Sequence, residues 1–162
     1  MSPRILLVDD DPDILTILGI RLTRAGFEVA VAMDGREGLA ALRHSRPRAV
    51  VLDLLMPNLD GFEFLATVRN WPATPPVFVV TQADDGMVRQ RVRSLGAAQL
   101  VSKGDALGRE FAESLAQRLG DAEESGLPPS ASLAVGLHPR PLPIDSLPST
   151  QPTALSLTTL SA

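Results

Sequence analysis

A doubly wound α/β fold, with five parallel strands in one sheet and helices on both of its faces, follows from three observations on the sequence. Ile5-Leu6-Leu7-Val8, Ala49-Val50-Val51-Leu52 and Val77-Phe78-Val79-Val80 are short unbroken apolar runs, the pattern of strands buried on both faces of a parallel sheet. Stretches of helical periodicity lie between them. The two kinds alternate along the chain, which implies right-handed crossovers and a three-layer sandwich.

Each element has its own signal. The first strand, Ile5 to Val8, leads to a helix capped by Asp11, with Pro12 at its first position and Ile14, Ile17, Leu18 and Leu22 on one face. Phe27 to Ala32 reads as a strand of lower hydrophobicity. Asp34-Gly35 opens the second helix, marked by Leu39 and Leu42, and Ala49 to Leu52 is the third strand. Phe62, Leu65 and Val68 mark a third helix that stops before Pro72. After the strand Val77 to Val80, residues Val88, Val92 and Leu95 mark a fourth helix, closed by Gly96. Leu100-Val101 is the fifth strand, and Leu107, Phe111, Leu115 and Leu119 mark a fifth helix, closed by Gly120. No internal repeat is present.

Composition bounds what such a fold can do. The 162 residues hold one domain of ordinary size plus an appendage, or two very small domains. Aromatics are 4% and tyrosine is absent, which argues against a base-stacking nucleic-acid platform, and the net charge of −4 gives little support to a polyanion-binding surface. With no cysteine there is no disulfide framework, thiolate metal site or cysteine nucleophile. The apolar run at the N-terminus is too short for a signal peptide and nothing approaches a membrane span, so a cytoplasmic protein is the expectation. Of the 15 basic residues, Lys103 is the only lysine.

The chain changes character near residue 120. Residues 1–120 hold every aromatic and 29 of the 34 charged residues, whereas 121–162 hold seven of the fourteen prolines, spaced so that no helix or central strand fits between them. The expected division is a folded domain over 1–120 and a Pro/Ser/Leu-rich disordered tail over 121–162. Leu155, Leu157 and Leu160 leave open a short docking motif within the tail.

In an open parallel sheet, ligands bind outside the carboxyl ends of the strands, near a switch in strand order. The residues that follow the apolar runs are Asp9-Asp10, Asp53, Thr81 and, after Ser102, Lys103. Three carboxylates, one hydroxyl and one ammonium therefore converge on one rim. Two carboxylates ~5 Å apart at an effective dielectric of ~20 repel by ~3 kcal/mol, so a cation, Lys103 or protonation must relieve the cluster. Hard oxygen donors without cysteine or a nearby histidine favour magnesium. A magnesium ion, a lysine and a hydroxyl around a carboxylate suit phosphoryl transfer, with Asp53 as the nucleophile.

These residues resemble a known family, the receiver domain of two-component response regulators, over residues 4 to about 119. The resemblance rests on Leu7-Val8-Asp9-Asp10, on Leu52-Asp53-Leu54-Leu55-Met56-Pro57 with Asp60-Gly61 following, on Thr81, and on Gly96-Ala97 leading to Lys103. It implies a flavodoxin-like (βα)5 sheet in the order 2-1-3-4-5. It also implies that Asp53 accepts a phosphoryl group from a phosphohistidine on a sensor histidine kinase or a histidine phosphotransfer protein. Asp10 and Asp53 would bind Mg2+ directly, Asp9 through water, and Leu55 through its backbone carbonyl. Thr81 and Lys103 would grip the phosphoryl oxygens and move inward on activation, while Pro57 and Gly61 shape the loop after the acceptor. Asp11 is better read as a helix cap than as a ligand.

Four positions depart from the usual pattern. Gln82 follows the switch threonine where a small residue is common, Leu100 stands where an aromatic ring usually swings inward, and Gly104 replaces a proline after the lysine. Leu55 occupies a position where a polar side chain would orient an attacking water, so slow loss of the phosphoryl group is expected. A haloacid-dehalogenase-type hydrolase, which would need a second acid at Leu55, is rejected.

The residues also admit plainer uses. Asp53, Thr81 or Lys103 taken singly would be a loop cap, a strand end and a surface charge, and only their register promotes them. Arg89, Arg91 and Arg93 are most simply a solvated face, though the surface of the fourth helix, fifth strand and fifth helix often meets partners in this family. His44 and His138 stand isolated.

The reading is a stand-alone receiver that signals through protein–protein contact, a phosphoacceptor rather than an enzyme. The alternative is a degenerate, phosphorylation-independent interaction module. No direct DNA binding is expected, because no stretch after residue 120 can bury a helix-turn-helix core. The cognate kinase, the output partner and formation of a homodimer are left open by the sequence.

Overall fold

The computed structural model describes residues 1–124. Its elements are β1 (Arg4–Val8), α1 (Pro12–Arg24), β2 (Glu28–Ala32), α2 (Gly35–Ser45), β3 (Ala49–Leu52), α3 (Gly61–Val68), β4 (Val77–Thr81), α4 (Gly86–Ser94), β5 (Gln99–Ser102), α5 (Lys103–Ala106) and α6 (Arg109–Glu124). All strand pairs are parallel, and the sheet order is β2-β1-β3-β4-β5. The five strands fall where the apolar runs place them, within a residue at either end.

Because side chains alternate across a strand, each apolar run feeds two cores. Ile5, Leu7, Val51, Phe78 and Val80 face α1 and α6, where Leu18, Leu22 and Leu115 close the layer. Leu6, Val8, Val50, Leu52 and Val79 face α2, α3 and α4, where Leu42, Phe64 and Val92 do the same. Complete burial of one such side chain stabilises by about 1.5–3 kcal/mol, so strands apolar at every position are what a sheet covered on both faces requires.

The helices depart from the sequence expectation in three places. In α1 the buried face is Leu15, Leu18 and Leu22, while Ile17 is exposed and Ile14 only half-buried. Two apolar stripes at helical spacing compete on this helix, and the sheet selects the one carrying Leu15. The expected fifth helix is two helices: Ser102 caps the short α5 immediately after β5, and the chain turns at Leu107-Gly108 before α6 begins. The second helix of this pair then runs through Gly120 to Glu124 rather than stopping there. Glycine costs about 1 kcal/mol in a helix interior relative to alanine, but Leu115, Leu119 and Ala122 bury on one face across it, and that packing outweighs the glycine. Residues 121–124 thus continue the domain. The remainder of the expected tail, with His138 and the leucines near its end, lies outside the described residues.

Candidate functional site

The switch in strand order lies between β1 and β3, the two strands that precede the acidic residues. Register sets the site: Val8 pairs with Leu52, and the Asp53 N–H donates to the Val8 carbonyl at 2.9 Å. Asp9 and Asp53 are therefore neighbours at the carboxyl ends of adjacent strands. Both are buried, at 2% and 3% exposure, whereas Asp10 on the same rim is exposed. One ligand oxygen from each of Asp9, Asp10 and Asp53 can be chosen so that all lie within 4.8 Å of one another.

Lys103 reaches this cluster from the far side of the sheet. Its ammonium lies 2.9 Å from Asp9 Oδ2 and 3.1 Å from Asp53 Oδ2. The other Asp53 oxygen accepts from the Leu54 N–H at 2.8 Å, and Asp9 Oδ1 accepts from the Asp11 N–H at 2.9 Å. Burial, with the nearby Asp9 charge, raises the Asp53 carboxyl above the usual carboxylate range; the hydrogen bond and charge of Lys103 oppose that rise without cancelling it. For Lys103 burial disfavours the ammonium, but its hydrogen bonds to Asp9 and Asp53 and their charges outweigh burial and hold its pKa raised. Three carboxylates face one ammonium, an imbalance that suits a divalent cation.

Local structure holds Lys103 in place. Ser102 Oγ accepts from the Asp105 N–H at 3.1 Å and donates to Asp105 Oδ2 at 2.7 Å, a reciprocal cap that starts α5 at the lysine. This restraint stands where Gly104 leaves the backbone free, and it was not legible beforehand, although a serine three residues before an acid is a capping signature. Thr81 ends β4 fully buried, its hydroxyl accepting from the Ala83 N–H at 3.3 Å, while Gln82 beside it is exposed. Leu100 packs against the α2–α4 core.

The loop after Asp53 is clamped by glycines. A Cβ on Gly61 would lie 2.4 Å from the Asp53 carbonyl oxygen and 2.7 Å from Leu54 Cα, both backbone atoms. Gly35, at the start of α2, meets the Leu59 carbonyl oxygen as closely. Asn58, with φ of 67°, turns the loop and donates to Asp34 Oδ2 at 3.2 Å. The contacts of Gly35 and Asn58 join segments distant in sequence, and no periodicity announces them. Leu55 is 61% exposed on this loop. Asp11 is the N-cap of α1, accepting from the Asp13 and Ile14 N–H groups.

Strand order and an acidic switch point define the class: a flavodoxin-like α/β protein whose functional crevice is lined by carboxylates. The sequence profile of the response regulator receiver domain matches residues 5–109, and the chain belongs to that family, the phosphoacceptor signalling module of two-component systems. Among curated relatives, the transcriptional regulatory protein AfsQ1 of Streptomyces coelicolor is 41% identical over 83 residues, covering 51% of this chain and 37% of that protein. The transcriptional regulatory protein PrrA of Mycobacterium tuberculosis is 44% identical over 96 residues, covering 59% and 40%. The chain therefore matches only about two fifths of the length of these relatives. Among solved structures, the chemotaxis response regulator CheY4 of Vibrio cholerae superposes with a TM-score of 0.66 at 30% identity, over 74% of this chain and 99% of that one.

Proposed function

We propose that the chain is a phosphorylation-controlled switch in which Asp53 accepts a phosphoryl group from a phosphohistidine of a sensor histidine kinase or phosphotransfer protein. The observation that carries this is the Asp53 carboxylate, buried, flanked by Asp9 and bonded to Lys103. An Asp53 oxygen attacks phosphorus, the new O–P bond forms as the P–N bond breaks, and the departing imidazole takes up a proton. The product is an acyl phosphate at the end of β3. Burial and the Asp9 charge raise the basicity of the carboxylate and make it a better nucleophile, while Lys103 opposes that rise and offers its ammonium to the incoming oxygens. The Thr81 hydroxyl, at the end of the neighbouring strand, would bond the same oxygens.

A magnesium ion fits the donors present: Asp10 and Asp53 would hold it directly, Asp9 through water, and the Leu55 carbonyl would complete the protein ligands. Bound there, it would neutralise charge on the transferred phosphoryl oxygens.

Output through protein–protein contact is a reading of the 121–162 composition. The relatives give it no support, since AfsQ1 and PrrA carry the name transcriptional regulatory protein and extend well beyond the matched region. Cytoplasmic residence accords with the absence, among the described residues, of a helix long and apolar enough to cross a membrane.

The test is to incubate the protein with magnesium and acetyl phosphate and weigh it intact. A mass gain of one phosphoryl group that Asp53→Ala abolishes is expected. No gain with acetyl phosphate or a phosphorylated kinase would replace this reading with that of a phosphorylation-independent interaction module.

A further inference from the structure

A concavity lies at the other edge of the sheet, where strands begin. A groove of about 1120 Å3 opens between the C-terminal ends of α2 and α3 and the connection from α3 to β4. Strand β3, from Ala49 to Leu52, separates it from the acidic site by about 13 Å at ~3.3 Å per residue. The floor is apolar, formed by Leu42, Leu65, Val68 and Val77, with Trp71 at its side. Around it stand Arg43, Arg46, Arg48 and Arg69, and among the described residues no aspartate or glutamate lines the groove. In a chain of net charge −4, this is a local concentration of positive charge over an apolar surface.

Arg43 and Arg48 have partners in the fold, whereas Arg46 and Arg69 are exposed. Arg43 lies over the Trp71 ring, 5.0 Å from its centroid, a contact that stiffens both side chains at the rim. Arg48 Nη2 donates to the Leu119 carbonyl at 3.3 Å. Arg46 and Arg69 have no carboxylate partner among the described residues. Arg46 also closes α2 in the left-handed region, with φ of 43°, where stability alone favours glycine. Tryptophan and arginine around an apolar floor are the composition of an interface hot spot.

We propose that this groove docks an acidic amphipathic segment of a partner protein. An apolar side chain of the segment seats on the floor beside Trp71, and its carboxylates pair with Arg43, Arg46 and Arg69. Charge complementarity selects the occupant: a basic segment is repelled, and an uncharged one leaves the rim unused. A nucleic acid fits less well, because the one ring available for stacking is already covered by Arg43 and the floor is aliphatic. The proposal is independent of phosphorylation at Asp53.

Trp71 is the only tryptophan of the chain and tyrosine is absent, so intrinsic fluorescence reports on the groove directly. The probe is a short helical peptide with leucine on one face and glutamate on the other, titrated into the full chain; the control carries lysine in place of glutamate. The expected result is a saturable change in Trp71 emission with the glutamate peptide alone. Affinity should weaken about tenfold in the double variant Arg43→Glu, Arg69→Glu, and fall with added salt. Unchanged melting temperature and Asp53 labelling in that variant show that it folds. Absence of a saturable change, equal affinity for the lysine peptide, or equal affinity in the folded variant would each overturn the proposal. So would protection of Trp71 from acrylamide quenching in the chain alone: protection independent of protein concentration assigns the groove to residues 125–162 of the same chain, and protection that grows with concentration assigns it to a second copy.

Discussion

Lys103 joins two carboxylates from different strands, and its shape decides what else can enter between them. Its ammonium is a compact point charge that lies 2.9 Å from Asp9 and 3.1 Å from Asp53, whereas a guanidinium is a broad planar fork. In a chain where every other basic residue is arginine, the lysine stands where a small cation is needed. Lys103→Arg should fold and keep its affinity for magnesium, yet lose most of the conformational response to phosphorylation. Amide chemical-shift changes on adding acetyl phosphate measure that response, and a full set of changes in the variant would make Lys103 an ordinary charge. The convergence of these residues was readable in advance because a parallel sheet brings every strand end to one rim, so the residue after each apolar run is a candidate. Asn58 and Ser102 were not readable in that way, since each acts through a hydrogen bond that exists only once the loop has folded.

Among the elements, the β3–α3 connection illustrates how backbone proximity shapes the site. Gly61 opens α3 against the Asp53 carbonyl, and its N–H donates to the Leu54 carbonyl at 2.9 Å. A methyl group there meets backbone, which cannot rotate away. Gly61→Ala should destabilise the domain by about 1–3 kcal/mol and slow Asp53 labelling, as denaturant unfolding and acetyl phosphate incubation would show; wild-type values for both would mean that the loop yields freely. Gly120 presents the opposite case. It lies exposed inside α6, with nothing within 4 Å of an added Cβ and no positive φ. Gly120→Ala should stabilise by about 0.5–1 kcal/mol, whereas a loss of stability would show that the helix ends there after all. Glycine as a stop signal was sound at Gly96, where φ is 87°, and failed at Gly120 because Leu119 and Ala122 continue the buried face. A local residue preference cannot anticipate which of two stripes the sheet will cover, and the exchange of Leu15 for Ile17 in α1 has the same cause.

Taken as a whole, the molecule sets a doubly packed apolar sheet against an acidic rim that the fold itself strains. The sheet was legible because its strands are apolar on both faces; the arginine groove was not, because it is assembled from three separate connections. The strain has a definite pH dependence. The Asp53 carboxyl is raised in the folded protein, by burial first and the Asp9 charge second, so the folded state holds that proton more tightly than the unfolded chain does. Below the ordinary value of 3.8 the group is neutral in both states and its contribution to stability is fully present. As pH rises through the folded pKa, charge develops beside Asp9 and that contribution is lost. Asp53→Asn removes the developing charge but also one partner of Lys103, and the upward direction of the shift says that the first effect is the larger. In magnesium-free buffer at neutral pH, Asp53→Asn should therefore melt several degrees above the wild type. The difference should shrink toward zero as the pH falls below the ordinary carboxyl range, and it should narrow at neutral pH when magnesium is added to both proteins. Thermal unfolding monitored by circular dichroism at a series of pH values measures it, and an equal or lower melting temperature for the variant at neutral pH would show that Lys103 alone balances the acidic pair.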